Sequence, residues 1–116
     1  MCLTKVATIH DKPKPETGFG WKAFDEVSER LITPLQGNVR FIPGEWVTDE
    51  ATFHLLDEFG NIYPTGFHLF RTELDAGSYM KWRKVVIRKV EYSYVVATGV
   101  QNNSAVIVAR KVRVCV

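Results

Sequence analysis

The sequence predicts a small α+β domain that is mainly antiparallel β: a twisted sheet or partly open barrel with one or two short helices. Three observations lead there. Two long stretches near the C-terminus alternate apolar and polar residues with a period of two. Most earlier apolar segments are short and bounded by Pro, Gly or Asn. One hydroxyl-led pattern, Thr72-Glu-Leu-Asp75, has the form of a helix start. The chain of 116 residues, 46% of them apolar, reads as a single domain, 1–116, able to bury a core without disulfides or metal.

A first strand is expected over Leu3–Ile9. It is followed by a surface loop, 11–18, with two prolines, alternating charge and no apolar residue. The stretch from Gly20 to Leu35 is ambiguous. Phe24, Val27 and Leu31 fall on one helical face, yet the same residues fit strands Trp21–Val27 and Leu31–Leu35 joined by a Ser-Glu turn. Val39-Arg-Phe-Ile42 reads as a short strand closed by Pro43-Gly44, and one or two helical turns are expected within Asp49–Glu58. Gly66-Phe-His-Leu-Phe-Arg71 is a strand. The helix that starts at Thr72 should reach about Trp82, with Gly77 marking a close approach.

The C-terminal third is an antiparallel pair. Val86, Arg88, Val90, Tyr92, Tyr94 and Val96 form one stripe, with Lys89, Glu91 and Ser93 on the other side. Val106, Val108, Arg110, Val112, Val114 and Val116 form the second stripe, with Lys111 and Arg113 facing away, and Asn102-Asn-Ser104 makes the turn. A one-residue slip would expose the whole valine stripe.

Net charge is +2, but residues 81–116 hold eight basic side chains and one acidic, against seven and twelve in residues 1–80. Such asymmetry marks a phosphate- or nucleic-acid-binding face, or basic strands neutralised by the acidic two-thirds; for a near-neutral chain the second is preferred. No apolar run approaches the roughly 18 residues of a membrane span, and the N-terminus lacks a secretory pattern, so a cytoplasmic protein without membrane contact is expected. Cys2 and Cys115 come close only if the terminal strands pair.

Chemistry-bearing residues are scattered. Flanked by Phe67 and Phe70, His68 should face away from both, toward a cleft or solvent if they face the core; the preferred reading is nonetheless a half-buried histidine bonded to a neighbouring carbonyl. With Tyr63, Arg71, Tyr79, Trp21, Lys22, Lys84 and Arg88 it forms the candidate ligand- or partner-binding set, in which rings stack on a base and cations hold phosphates. The bland reading of the aromatic residues is core packing. His10 and His54 have no partner at metal-ligand spacing, and no glycine-rich phosphate loop is present. No catalytic residue, metal or cofactor is assigned.

Met1-Cys-Leu3, Gly20-Trp-Lys-Ala-Phe24, Gly44-Glu-Trp-Val47, Gly66-Phe-His-Leu-Phe70 with Ala76 following, Gly99-Val-Gln101 and Val106-Ile-Val-Ala109 span nearly the whole chain. Together they resemble a family of small phage and prophage proteins with a Gly-Phe-His-x-Phe motif. That resemblance implies a viral accessory protein in a bacterial cytoplasm. A fainter one links Gly66–Tyr79 to the strand–helix core of ADP-ribosyltransferases, whose late strand carries a catalytic glutamate. Here the strand after Asn103 reads Ser-Ala-Val-Ile-Val-Ala-Arg110, with no glutamate, which implies at most a nucleotide-sized pocket lined by His68 and Tyr79.

The expectation is thus a non-enzymatic binding protein, monomer or homodimer, that inhibits a host defence factor or sequesters a ligand. The alternatives are a nucleotide-handling protein and a nucleic-acid-binding module that uses the basic C-terminal strands.

Overall fold

A computed structural model describes residues 3–27, 30–32, 40–79 and 85–116. Among these residues the chain forms β1 (Lys5–Lys14), β2 (Gly18–Val27), β3 (Arg30–Ile32), β4 (Arg40–Phe41), β5 (Trp46–Thr48), β6 (His54–Leu56), β7 (Ile62–Pro64), β8 (Phe67–Phe70), α1 (Glu73–Tyr79), β9 (Val86–Gln101) and β10 (Ser104–Val114). An eight-stranded twisted antiparallel sheet runs β1-β9-β10-β8-β2-β3-β4, with β5 added to β10 and β6-β7 as a separate pair. No helix among the described residues is long and apolar enough to cross a membrane.

The β9–β10 hairpin is the spine. Its two-residue turn places Asn102 at φ 50° and Asn103 at φ 67°, the left-handed pair that a tight hairpin of native twist requires and that asparagine tolerates. Pairing runs from Gln101↔Ser104 to Ala97↔Val108, then shifts by one residue so that Val95 faces Ala109. Val96 is the extra residue, and Tyr94 beside it has φ 58°. This β-bulge breaks the expected alternation. Val90 is buried and Tyr92 packs on the core, but Tyr94 is 40% exposed, and the neighbours Val96 and Ala97 are both buried. The second stripe is interrupted as well: Val106, Val108, Val112 and Val114 are buried, but so are Ile107 and Ala109 on the opposite face.

Both faces bury side chains because the pairings return on themselves. β9 pairs with β10, β10 with β8, β8 with β2 through Trp21↔Phe70, and β2 with β9 from Gly18↔Tyr92 to Phe24↔Val86. β8 separates the two apolar clusters this creates. Phe67 and Leu69 join Phe24, Phe41, Val90, Val112 and Val114, while Phe70 joins Leu3, Tyr63, Ala76, Val96, Val106 and Val108. Phe41 contacts Phe24 and Phe67 edge-on at 5.0 and 5.3 Å between centroids, the geometry the ring quadrupoles favour.

Several local expectations change. In the described part of the ambiguous stretch, β2 and β3 pair antiparallel, with Val27↔Arg30 and Asp25↔Ile32; residues 33–35 of the expected second strand lie outside the described residues. Asp49–Glu58 holds the strand β6 instead of helical turns. Asp11–Lys14, expected in a loop, continues β1 as an exposed edge, with Lys14 opposite Val95. Helix α1 begins as predicted, Thr72 Oγ1 accepting from Asp75 N–H at 3.1 Å; Trp82, its expected end, lies outside the described residues. The terminal strands are not neighbours. Thr4 N–H bonds Val100 O toward one end of β9, and Cys115 N–H bonds Lys89 O toward the other, so Thr4 and Cys115 are separated along β9; Cys2 is outside the described residues.

Two glycine substitutions should move stability in opposite directions. A Cβ on Gly99 would lie 2.4 Å from Lys5 O and 2.9 Å from Leu3 Cδ1, so Gly99→Ala should pry β1 from β9 and cost about 1–3 kcal/mol in urea unfolding. Among the described residues, the nearest atom to a Cβ on Gly77 is Ile87 Cγ1 at 4.0 Å, in contrast to the expected close approach. Gly77→Ala should stabilise by about 0.5–1 kcal/mol, because a helical alanine loses less backbone entropy on folding.

Candidate functional site

His68 does not face a cleft. It is 3% exposed, and it shares its side of β8 with Phe70, because residues two apart on a strand point the same way. The backbone carbonyl of Gly66, 3.2 Å from Nδ1, can only accept, so Nδ1 carries the proton. Nε2 then accepts from the Tyr63 hydroxyl at 3.0 Å, and Tyr63 Oη accepts from Leu3 N–H at 2.8 Å. The result is a directed chain, Leu3 to Tyr63 to His68 to Gly66, tying the N-terminal segment, β7 and β8 together. Such a chain is satisfied by a neutral imidazole, and burial together with the nearby Lys22 ammonium lowers the His68 pKa to about 3.

Lys22 is buried too, its Nζ donating to His68 O at 3.1 Å, and burial lowers its pKa to about 8. Of the remaining candidates Tyr63 joins this pair through its hydroxyl, and the other described ones do not gather into an accessible site. Tyr63 is wholly buried, Trp21 packs half-buried on the second cluster, Arg88 is half-buried opposite Lys22 in the β2–β9 ladder, and Arg71 is exposed beyond β8. Tyr79 ends α1, and Lys84 lies outside the described residues. His68, Tyr63 and Lys22 therefore form an internal brace: the preferred reading, a histidine bonded to a neighbouring carbonyl, matches the Gly66 contact, and the alternative in which His68 opens on a cleft is overturned by its burial.

The residues that do assemble at the surface come from the polar sides of the same strands. Phe19 on β2 is the ladder partner of Glu91 on β9, Glu91 of Arg113 on β10, and Arg113 of Trp46 on β5. Direct ladder partners project to one face, so four adjacent strands present a row of ring, carboxylate, guanidinium and ring. Phe19 is 59% exposed and Trp46 37%. Arg113 ion-pairs with Glu91 while its Cζ lies 4.7 Å from the Trp46 ring centroid. Lys111 Nζ lies 5.6 Å from Trp46 and 5.7 Å from Tyr94, and Lys89 Nζ 4.9 Å from Phe19. The basic strands thus stack on exposed rings, and Arg113 pairs with a glutamate of its own third of the chain. Lys89, Glu91, Lys111 and Arg113 were legible as the outward residues; Phe19, isolated between two glycines, carried no periodic signal.

The brace predicts a pH signature. The unfolded chain protonates histidine near 6.5 and the folded chain only near 3, so His68 leaves stability intact above about pH 6.5 and erodes it progressively down to pH 3. Lys22 releases its proton near 8 when folded but near 10.5 when unfolded, so its burial penalty is full below pH 8 and relieved as pH rises to 10.5. Lys22→Met should therefore raise stability at pH 7 by about 1–3 kcal/mol and abolish the gain between pH 8 and 10.5. Tyr63→Phe should cost about 1–3 kcal/mol at pH 7, since it strands the Leu3 N–H and the His68 Nε2. Denaturant titrations at pH 5, 7 and 10 measure all of these.

No protein-family model, curated protein or solved structure matches the chain.

Proposed function

We propose that this chain is a non-catalytic accessory protein that binds single-stranded nucleic acid on the β2–β9–β10–β5 face. The observation that carries the reading is the row Phe19–Glu91–Arg113–Trp46, with Lys89 and Lys111 against its two rings. An exposed ring on a sheet stacks with an unpaired base whatever its identity, and neighbouring cations take up the phosphates. Three ladder spacings of about 4.8 Å place the two rings roughly 14 Å apart, far enough for each to hold its own base. A sheet face of this kind presents no helix or ribbon to a duplex groove, which favours single strands. We also read the β9–β10–β8–β2 circuit of pairings as the partly open barrel suggested by the sequence; its curl would bring β2 and β5 onto one surface. The resemblance to phage proteins supports an accessory role in an infected bacterial cytoplasm. Inhibition of a host protein through the same face is the reading that a negative nucleic-acid result would leave.

The test is fluorescence anisotropy with a labelled single-stranded oligonucleotide across a salt series. Affinity should fall with salt at a log–log slope of about −0.7 per neutralised phosphate, hence about −2 for Lys89, Lys111 and Arg113 together. Trp46→Ala and Phe19→Ala should each weaken binding by about 5- to 150-fold. Glu91→Gln should strengthen it, because it removes the one carboxylate in the row. Absence of binding at low salt, or affinity indifferent to these changes, overturns the reading.

A further inference from the structure

A second concave feature is independent of the sheet face. A cleft of ≈ 310 Å³ opens between the edge strand β1, the connection leading into β6 and the β7–β8 corner, with His10, Phe53, His54, Pro64, Thr65 and Arg110 among its walls. Its volume lies at the lower end of the roughly 300–1,000 Å³ typical of small-ligand sites. Phe53, just before β6, is 59% exposed. Arg110, which the sequence pattern places on the valine stripe, instead donates from Nη1 to Thr65 O at 2.9 Å. One guanidinium edge is thereby held by the protein, and its other N–H donors remain for a ligand. His54 is set opposite Pro64 in the β6–β7 ladder, which fixes its strand beside the same corner. Asp11 is the one carboxylate in the lining.

We propose that this cleft binds a nucleoside monophosphate. The phosphate is held by Arg110 with His54 and His10 beside it, the base lies against Phe53, and Asp11 accepts from a sugar hydroxyl. The chemistry follows from the donor set: a planar fork with two imidazoles suits a phosphate's three oxygens, an exposed ring suits a base, and neither alone explains the other. Nothing in this site uses Phe19 or Trp46, so it stands or falls apart from the sheet face.

Isothermal titration of the full chain with AMP, adenosine and inorganic phosphate tests the assignment. AMP should bind with a dissociation constant below about 1 mM, and adenosine at least about tenfold more weakly, for want of the charge-assisted bonds. Phe53→Ala and His54→Ala alter exposed side chains and should leave the fold intact by circular dichroism. Each should weaken AMP binding severalfold, and Arg110→Gln more. Trp46→Ala should leave AMP affinity unchanged. The proposal is overturned if AMP does not bind at millimolar concentration or if adenosine binds as well as AMP. It also fails if the Phe53 and His54 variants bind like the parent chain, or if Trp46→Ala abolishes AMP binding and so places the nucleotide on the sheet.

Discussion

The bulge in the β9–β10 hairpin is the constraint on which the rest of this structure depends. A regular ladder from the Asn102–Asn103 turn to Val114 would hold one apolar face for its whole length and leave the other wet. The extra residue at Val96, with Tyr94 turned to φ 58°, exchanges the faces partway along. The turn-proximal half then buries Val106 and Val108 in the cluster with Tyr63 and Phe70. The far half buries Val112 and Val114 in the cluster with Phe24 and Phe67. One hairpin so serves two cores, and β8 fits between them because its own alternation sends Phe67 and Leu69 one way and Phe70 the other. A bulge also increases local twist, in keeping with a β2 that reaches both β9 and β8.

That double burial has a cost, visible at β8. With apolar groups on both sides, the polar residues His68 and Lys22 are carried inside. The structure meets the cost in two ways of unequal quality. His68 is satisfied at both ring nitrogens by Tyr63 and Gly66, so the neutral ring is held at little expense and pins the N-terminal segment through Leu3. Lys22 reaches a carbonyl, which a buried ammonium finds a poor substitute for water. The arrangement stabilises one particular docking of β2 on β8 at some loss of overall stability. A polar group that is satisfied in one register only acts against slippage, which matters where the β2–β8 link rests on a single ladder pair, Trp21↔Phe70.

Much of this was legible in sequence where local chemistry decides. The Asn102–Asn103 turn, the pairing of the last two strands, the Thr72 cap and the outward set Lys89, Glu91, Lys111 and Arg113 follow from turn geometry, capping and two-residue periodicity. What was not legible depends on an offset of one residue. Val90–Val96 alternates in sequence, yet the bulge moves Tyr94 out and brings Ala97 in; the apolar run Val95-Val96-Ala97 is the one local mark of the slip. For His68 the carbonyl partner was legible as the preferred reading, but its side of the strand was not, since Phe70, two residues on, shares it. Strand periodicity says which residues share a face, but not that both faces are covered, and a histidine between apolar neighbours looks exposed until the second cluster is known. Trp46 and Phe19 belong to strands too short, or too interrupted by glycine, to show a pattern; only the ladder makes them partners of Arg113 and Glu91.

The two surfaces assigned here to ligands meet at the same irregularity. Tyr94, turned outward by the bulge, sits with Pro13, Thr48, Arg110 and Lys111 around a shallow depression of ≈ 400 Å³. Lys111 belongs to the ring-and-cation face, and Arg110 to the cleft that holds Phe53 and His54. Arg110 and Lys111 each serve their own surface and both also line the depression at Tyr94, where the two surfaces come together. In an unbulged hairpin Tyr94 would continue the apolar stripe into the core and leave Lys111 without its second ring. The feature that lets one hairpin fill two cores is thus also the one that gives its outer surface an aromatic group between two cations. The irregularity that accompanies the two cores shapes the surface at Tyr94, while the row Phe19–Glu91–Arg113–Trp46 rests on the regular ladder beyond it.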